Sequence, residues 1–424
     1  MLPNYRNNLL KKTPQLISMA MRLSGLALRF ILLFVLAKYF SLKEVGLFSV
    51  YWAALQLSSS LSTLDVYAYT ARKILSQNEH SEDIVSRHIQ FLFLAILVSI
   101  PLTVIIMYLY FVQVKIPLWL IFVLIIHLPI EIILTDGGRI LVPLKKPFLS
   151  NLILFIRTAA WIPVVCFFLF YGLSGFNVFH VILIWLIGSL VSFLTLIVLI
   201  KPYISYKKIF SIDFKWIKIA VYSSAIMTAA TLLFRAILGA DRFFVGYYFS
   251  VESVAIYSLY ASIALAVLSL VETGVSAWRY PALVNAIKAK DLSQINKCYT
   301  VFFKENFIAT TGLTLIILIL FPKIAQYFLS EEYYKNINVF YIMCLASFLY
   351  CISMPWHYVI FGYDKDRLFI YVYGISFLFM IVFSTFFMQN IGFLGAGIMI
   401  LLGLGGISVL RYCISLYVLS ELRR

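Results

Sequence analysis

Arginine residues stand inside long apolar stretches of this chain, where a charged side chain needs a physical reason. Arg22 and Arg29 lie seven residues apart in the first apolar run, so a helix places both on one face. Arg235 and Arg242 have the same spacing in the seventh run, and Arg157 stands near the start of the fifth. A charge at mid-membrane depth costs about 2.5–3.5 kcal/mol on insertion scales. Because guanidinium groups keep their charge, this pattern indicates a cationic site within the apolar part of the chain.

Each of these arginines also has a second explanation. Arg22 and Arg157 stand near the ends of their runs, from which a long side chain reaches the headgroups by snorkelling. Arg29 and Arg235 lie deeper, with polar or small residues on the same helical face, which favours a water-filled, cationic cavity between the two halves of the chain. Arg242 fits equally well in the cavity or as an anchor at the periplasmic end.

Four acidic residues of the apolar stretches are candidates for ion coupling: Asp65, Glu131, Asp241 and Glu272. An unpaired carboxyl group in apolar surroundings binds a proton more readily than one in water, which suits proton-coupled transport. The alternative is a fixed ion pair with one of the arginines or, at a helix end, a position that faces solvent.

Signals of other chemistry are missing from the sequence. It contains no Walker loop, no pair of catalytic carboxylates in an aqueous loop and no serine nucleophile elbow. We therefore expect no enzymatic activity, no catalytic residues and no cofactor. His127 and His357 have no second ligand at a metal-binding spacing, so we interpret both as packing residues and expect no metal site.

Composition predicts an all-α, multispanning membrane protein. The 424 residues are 63% hydrophobic and only 12% charged. Apolar runs of about 20 residues recur, which is the length that crosses roughly 30 Å of hydrocarbon. We predict twelve transmembrane helices. The seventh run, 216–249, is too long for a perpendicular span, so it either tilts or places its outer end in a cavity.

The distribution of charge predicts the topology. The net charge of +16 could suggest nucleic acid, but most of the 34 lysine and arginine residues lie in alternate connections between the spans. These include Arg139 after the fourth span, the loop 201–215, and Arg411, which we assign to the C-terminal end. By the positive-inside rule both termini and the middle loop are cytoplasmic, and we expect no nucleic-acid partner.

Two stretches 209 residues apart indicate an internal repeat. Residues 39–51 read YFSLKEVGLFSVY, and residues 248–260 read YFSVESVAIYSLY. With six spans in each half, both copies enter the membrane from the same side, so the repeat is parallel. We predict an N-terminal six-helix lobe over 1–205 and a C-terminal six-helix lobe over 206–424.

The chain resembles the polysaccharide-exporter branch of the multidrug/oligosaccharidyl-lipid/polysaccharide (MOP) superfamily, most closely the Wzx-type O-antigen flippases. The resemblance extends over nearly the whole chain, and its order of motifs matters more than any single one. It is carried by KEVGLFSVYWAALQL at 43–57, DRFFVG at 241–246, VAIYS at 254–258, Pro281, Phe321-Pro322, and Gly362 followed by 364–367.

The resemblance implies a MATE-like flippase of the bacterial inner membrane that serves O-antigen and lipopolysaccharide biosynthesis. Its expected partners are an undecaprenyl-pyrophosphate-linked oligosaccharide, membrane lipids and, optionally, a polymerase of the same pathway. Arg29 and Arg235, with Arg22 and Arg242, would hold the pyrophosphate between the lobes, with Arg157 as a fifth candidate. Rocking of the lobes would give alternating access.

Three other functions remain open. A MATE-like cation or drug antiporter would favour an acidic or aromatic cavity. A lipid II flippase of peptidoglycan synthesis resembles a fourteen-span protein, which has two spans more than the twelve predicted for this chain. A membrane polymerase or glycosyltransferase of the same pathway would need a larger periplasmic loop than any connection here.

Overall fold

A computed structural model describes residues 2–76, 80–209 and 211–421, and within these ranges the chain is helical, without strands. It packs into two compact units, Met1–Thr228 and Ala229–Arg424. The predicted all-α membrane fold is thus confirmed, whereas the predicted lobe boundary at residue 205 stays a prediction.

The N-terminal unit is built from long helices and from shorter ones separated by brief breaks. Its helices are α1 (Leu2–Tyr39), α2 (Leu42–Thr63), α3 (Val66–Ser76), α4 (Ser81–Val114), α5 (Leu118–Ile140), α6 (Pro147–Phe155), α7 (Ile162–Phe170), α8 (Val178–Ile200) and α9 (Tyr206–Ile209). A π-helical turn, Ile156–Ala160, joins α6 to α7. Helix α10 (Phe214–Gly239) begins in this unit and ends in the next.

The C-terminal unit has a similar composition of long and broken helices. They are α11 (Asp241–Tyr248), α12 (Val251–Val271), α13 (Ala277–Lys288), α14 (Leu292–Phe328), α15 (Glu331–Lys335), α16 (Ile337–Ile352), α17 (Met354–Gly362), α18 (Arg367–Ile391) and α19 (Leu394–Glu421). A second π-helical turn, Glu272–Ser276, joins α12 to α13.

Ten helical segments of the described residues are long and apolar enough to cross a membrane, and a bent pair over 214–248 would add an eleventh. The chain is therefore a multi-pass membrane protein. The predicted single span over 216–249 is divided between α10 and α11, which meet at Ala240. The serine-rich C-terminal part of α2 makes this helix less apolar than the ten, although its 22 residues could cross a bilayer. The count of twelve and the cytoplasmic position of both termini stay predictions.

The two repeated segments adopt the same local structure. Ser41 caps the N-terminus of α2 and Ser250 caps that of α12, each accepting a hydrogen bond from the backbone three residues later. Ten residues beyond each cap, Tyr51 and Tyr260 are fully buried. Each tyrosine hydroxyl is hydrogen-bonded, to a histidine of α5 and to a backbone carbonyl respectively. The sequence repeat is therefore also a repeat of capping and of aromatic packing.

Glycines allow α18 and α19 to pack closely. Gly392 forms the turn between them with φ at +68°, a conformation that glycine adopts without strain. A Cβ on Gly395 would lie 2.5 Å from the carbonyl carbon of Phe387, and one on Gly406 would lie 3.1 Å from Oγ of Ser376. Small residues bring helices together in membranes, where packing replaces the hydrophobic effect as the cause of association.

Candidate functional site: an arginine and carboxylate network in the N-terminal unit

Glu131 and Arg157 form a buried ion pair. Glu131, on α5, is 1% exposed and Arg157 is 9% exposed. Oε1 of Glu131 accepts hydrogen bonds from Nε and Nη2 of Arg157 at 3.0 and 2.6 Å. Arg157 lies in the π-helical turn after α6, a helix irregularity that is frequent at functional sites. Arg157, a candidate for ligand binding, and Glu131, a candidate for ion coupling, are thus partners. This matches the fixed ion pair that we gave as the alternative for Glu131.

The hydrogen bonds to Glu131 converge on one carboxylate oxygen. Nε2 of Gln56, on α2, also donates to Oε1, at 3.2 Å. The second oxygen, Oε2, is buried and accepts no hydrogen bond within the described part of the chain. The pair therefore retains an unused acceptor inside the unit. A buried acceptor without a donor costs about 1–3 kcal/mol.

His127 extends this network by one helical turn. Its Nδ1 lies 2.8 Å from the hydroxyl of Tyr51 and its Nε2 lies 2.9 Å from Oγ of Ser189. The imidazole is fully buried. Both ring nitrogens have partners, so His127 is the satisfied packing histidine that the sequence predicted.

Arg22 and Arg29 on α1 have neutral partners. Nε of Arg22, an exposed residue, donates to Oδ1 of Asn151 at 2.9 Å. Nε of Arg29, a half-buried residue, donates to the carbonyl of Gly25 at 3.3 Å. In the residues that the structure describes, neither guanidinium forms an ion pair. Arg29 also interacts electrostatically with Arg157.

Arg242 of the predicted seventh span differs from Arg22 and Arg29 of α1. Arg242 is held by Asp241, whose Oδ1 lies 2.8 Å from Nη1, and Oδ2 of Asp241 accepts a hydrogen bond from the hydroxyl of Tyr257 at 2.7 Å. Asp241 is fully buried. This arrangement matches the structural alternative for Asp241. Arg235 lies half-buried on α10.

The two remaining acids occupy breaks in helices. Asp65 follows α2, and both Leu64 and Asp65 have left-handed backbones, with φ of 45° and 44°. Oδ1 of Asp65 lies 3.5 Å from Nη1 of Arg139. Glu272 is exposed at the start of the second π-helical turn. The ion-coupling role of these acids, like the predicted cleft between the lobes, stays a prediction.

Arg411, which the sequence assigned to the cytoplasmic C-terminal end, is buried: its side chain is 1% exposed within α19. Its side of the membrane stays a prediction. Its guanidinium donates to Oγ of Ser353 at 3.0 Å and to the hydroxyls of Tyr373 and Tyr350 at 3.0 and 3.2 Å. The guanidinium carbon also lies 4.6 Å from the ring centroid of Tyr350, in a cation–π contact. The apolar residues on both sides of Arg411 were the signal for its burial.

A second cluster was also missed. Arg139, assigned to a loop, is the penultimate residue of α5 and contacts Asp136, which is fully buried one turn earlier. His88 on α4 faces the same carboxylate. The spacing of Asp136 and Arg139, three residues apart at the end of an apolar run, was the available signal.

Comparison with known proteins identifies the fold. No protein-family model and no curated protein matches the sequence. Among solved structures, the inward-facing conformation of a multidrug resistance MATE family transporter of the MOP superfamily matches with a TM-score of 0.78 and 13% identity, over 94% of this chain and 95% of that one.

Two further structures share the fold. The lipid II flippase MurJ in its inward closed conformation matches with a TM-score of 0.74 and 15% identity, over 96% of this chain and 88% of that one. A MOP superfamily transporter from Pyrococcus furiosus, described as having a binding pocket of reversed polarity, matches with a TM-score of 0.56 and 17% identity, over 97% and 95% of the two chains. The MATE-like fold is thereby confirmed. At these identities the likeness extends to the fold and not to the substrate.

Proposed function

We propose that this chain is a flippase of the MOP superfamily that carries a lipid-linked oligosaccharide across the bacterial inner membrane by alternating access. Its substrate is an undecaprenyl-pyrophosphate-linked unit of the O-antigen type. The termini are cytoplasmic, and a polymerase of the same pathway consumes the product. The chain performs no covalent chemistry.

Arg22 and Arg29 of α1 are the observation that supports this substrate. In the part of the chain that the structure describes, they donate to an amide and to a carbonyl rather than to carboxylates, so their charge is free to attract an anion. A pyrophosphate supplies several oxygen acceptors for guanidinium groups. Keeping two such charges on an apolar helix is costly, and an anion bound there during the working cycle would offset that cost.

The ion pairs separate the five arginine candidates by role. Arg157 and Arg242 are neutralised by carboxylates, so we assign them to positioning rather than to direct binding. Arg157 interacts electrostatically with Arg29, and Ala159 of the same π-helical turn lies 3.6 Å from where a Cβ on Gly25 of α1 would stand. We keep Arg235 as the candidate from the C-terminal unit.

Complementation tests the proposal. Expressed in a strain that lacks its own O-antigen flippase, the wild-type chain should restore the lipopolysaccharide ladder. Arg29→Ala and Arg22→Ala should each reduce the ladder by at least about tenfold, because a charge-assisted hydrogen bond contributes about 1.5–3 kcal/mol. Arg29→Lys should retain part of the activity, because it keeps the charge but loses the planar, forked donor.

Matched variants separate binding from folding. Arg72→Ala removes an exposed arginine of α3 whose Nε donates to a backbone carbonyl four residues earlier, as Arg29 does, and should leave the ladder unchanged. Immunoblotting of membranes should show equal amounts of all variants. A full ladder in Arg22→Ala, Arg29→Ala and the double variant would reject the assignment of the pyrophosphate to α1.

The main alternative is a cation or drug antiporter, which the likeness to a multidrug transporter favours. Arg22 and Arg29 would repel the cationic substrates of such an antiporter. Expression in a strain without its major drug exporters therefore distinguishes the two functions. Raised resistance to cationic dyes without a restored ladder would replace the flippase by the antiporter.

A further inference from the structure

A buried histidine faces a buried carboxylate in the N-terminal unit, away from the Glu131–Arg157 pair. Nε2 of His88 on α4 lies 3.6 Å from Oδ2 of Asp136 on α5, and both side chains are completely inaccessible to solvent. The pair lies outside the residues to which the proposed function assigns the substrate.

The hydrogen bonds of His88 favour one of its two tautomers. Nδ1 lies 2.8 Å from Oγ1 of Thr70. The Thr70 hydroxyl also lies 3.2 Å from the carbonyl of Val66, the usual acceptor of a threonine inside a helix. When the single hydroxyl hydrogen goes to that carbonyl, the hydroxyl oxygen is an acceptor and Nδ1 of His88 is the donor.

The other nitrogen is left facing the carboxylate. In the neutral ring with hydrogen on Nδ1, Nε2 has a lone pair and, among the residues that the structure describes, no hydrogen-bond partner. In this tautomer two lone pairs face each other across 3.6 Å. One added proton turns this repulsion into an ion pair or a hydrogen bond, so the geometry has a place for a single proton.

The titratable groups around the pair connect it to a break in the helices. Nη1 of Arg139 lies 3.6 Å from Oδ1 of Asp136 and 3.5 Å from Oδ1 of Asp65, and its guanidinium carbon lies 4.1 Å from the ring centroid of Tyr67. Through Arg139, these contacts connect the pair on α4 and α5 to Asp65 in the break before α3 and to Tyr67 at the start of α3.

A proton on the pair would change how Arg139 is shared. While Asp136 is charged and His88 is neutral, Asp136 competes with Asp65 for the guanidinium. A proton between His88 and Asp136 weakens that competition, so Arg139 moves towards Asp65. Asp65 lies in the left-handed break after α2, and the carbonyl of the preceding Leu64 accepts a hydrogen bond from the Thr228 hydroxyl of α10.

We propose that the His88–Asp136 pair is the proton-binding site that couples transport to the proton gradient, with Arg139 and Asp65 as positioning residues. A proton from water binds Nε2 of His88 in one state, and the same Nε2–H bond breaks to return the proton to water in the other. This inference deepens the proposed function, because it names the coupling ion and its site.

Infrared spectroscopy tests proton binding without any substrate. The purified full-length protein in lipid is taken from alkaline to acidic pH, and the difference spectrum is recorded. In the wild type we expect one buried carboxyl or imidazolium signal that is lost in Asp136→Asn and displaced in His88→Gln. Asp83→Asn, which removes a carboxylate of the same helix as His88 that pairs with Lys208, should keep that signal. Identical spectra of the wild type, Asp136→Asn and His88→Gln would overturn the proposal.

A second measurement tests the coupling. Undecaprenyl pyrophosphate is added to the protein in weakly buffered detergent solution, and a pH-indicator dye records protons released on binding. We expect release by the wild type and by His180→Gln, a variant of an exposed histidine, and none by His88→Gln or Asp136→Asn.

The two measurements fail in different ways. If undecaprenyl pyrophosphate binds and no proton is released, the coupling role is wrong. If it does not bind at all, the proposed substrate is wrong, while the infrared spectra still decide whether His88 and Asp136 hold a proton.

Discussion

Substitutions in the Glu131–Arg157 pair test whether water is excluded from the buried charges of the N-terminal unit. Arg157→Ala removes the cation and leaves a carboxylate that is 1% exposed without its charged partner. Breaking a buried ion pair on one side costs about 3–5 kcal/mol, because the remaining charge is desolvated and uncompensated. Gln56 offers Oε1 one neutral donor, which offsets about 1 kcal/mol of that loss at most.

Removing both charges should cost far less than removing one. In the double variant Glu131→Gln/Arg157→Met no ion remains to be desolvated, so we expect stability within about 2 kcal/mol of the wild type. The contrast with an exposed pair is equally direct. Arg279 and Glu305 form an ion pair whose side chains are 44% and 40% exposed, and solvent screens it, so Arg279→Ala should have a much smaller effect than Arg157→Ala.

Reversible unfolding in mixed micelles measures these differences. The purified variants are titrated with sodium dodecyl sulfate, and far-UV circular dichroism follows the loss of helix. The expected order of stability is wild type, Arg279→Ala, the double variant and then Arg157→Ala. Equal losses for Arg157→Ala and Arg279→Ala would refute the reasoning, since they would mean that water solvates Glu131.

Two further substitutions test packing and buried hydrogen bonds in the same assay. Gly395→Ala should destabilise by about 1–3 kcal/mol, because its Cβ would lie 2.5 Å from the backbone of α18, whereas Gly274→Ala has open space and should be neutral. Tyr51→Phe should cost about 1–3 kcal/mol by leaving Nδ1 of His127 without its partner, and Tyr222→Phe, at an 84% exposed position, should cost nothing measurable. Equal losses of stability in Gly395→Ala and Gly274→Ala would contradict the close packing at Gly395. Equal losses in Tyr51→Phe and Tyr222→Phe would contradict the hydrogen bond between Tyr51 and His127.

The sequence was sufficient for the general architecture because the membrane imposes it. Apolar runs of sufficient length must become helices, since no water is present to satisfy exposed backbone groups. The repeat was also visible in the sequence, because Ser41 and Ser250 act as caps through local hydrogen bonds. The division at Ala240 was not predicted, although the run was too long for one perpendicular span and α11 begins with Asp241 and Arg242.

The candidate site was only partly predictable. Spacing placed Arg22 and Arg29 on one face of α1, and that inference needed only the geometry of a single helix. It could not show that Arg157 is neutralised while Arg22 and Arg29 have neutral partners, since the carboxylate partner of Arg157 lies on another helix, 26 residues away.

What the sequence by itself determined is the set of charges that this membrane protein carries into its apolar segments and the helical face on which each one lies. Only the tertiary structure decided which of them are compensated. Arg411 shows the reason most clearly, because tyrosine and serine hydroxyls from α16, α18 and the residue before α17 surround it, at separations of 38 to 61 residues along the chain. Burial and pairing depend on side chains that meet across helices, and no periodicity within one helix contains that information.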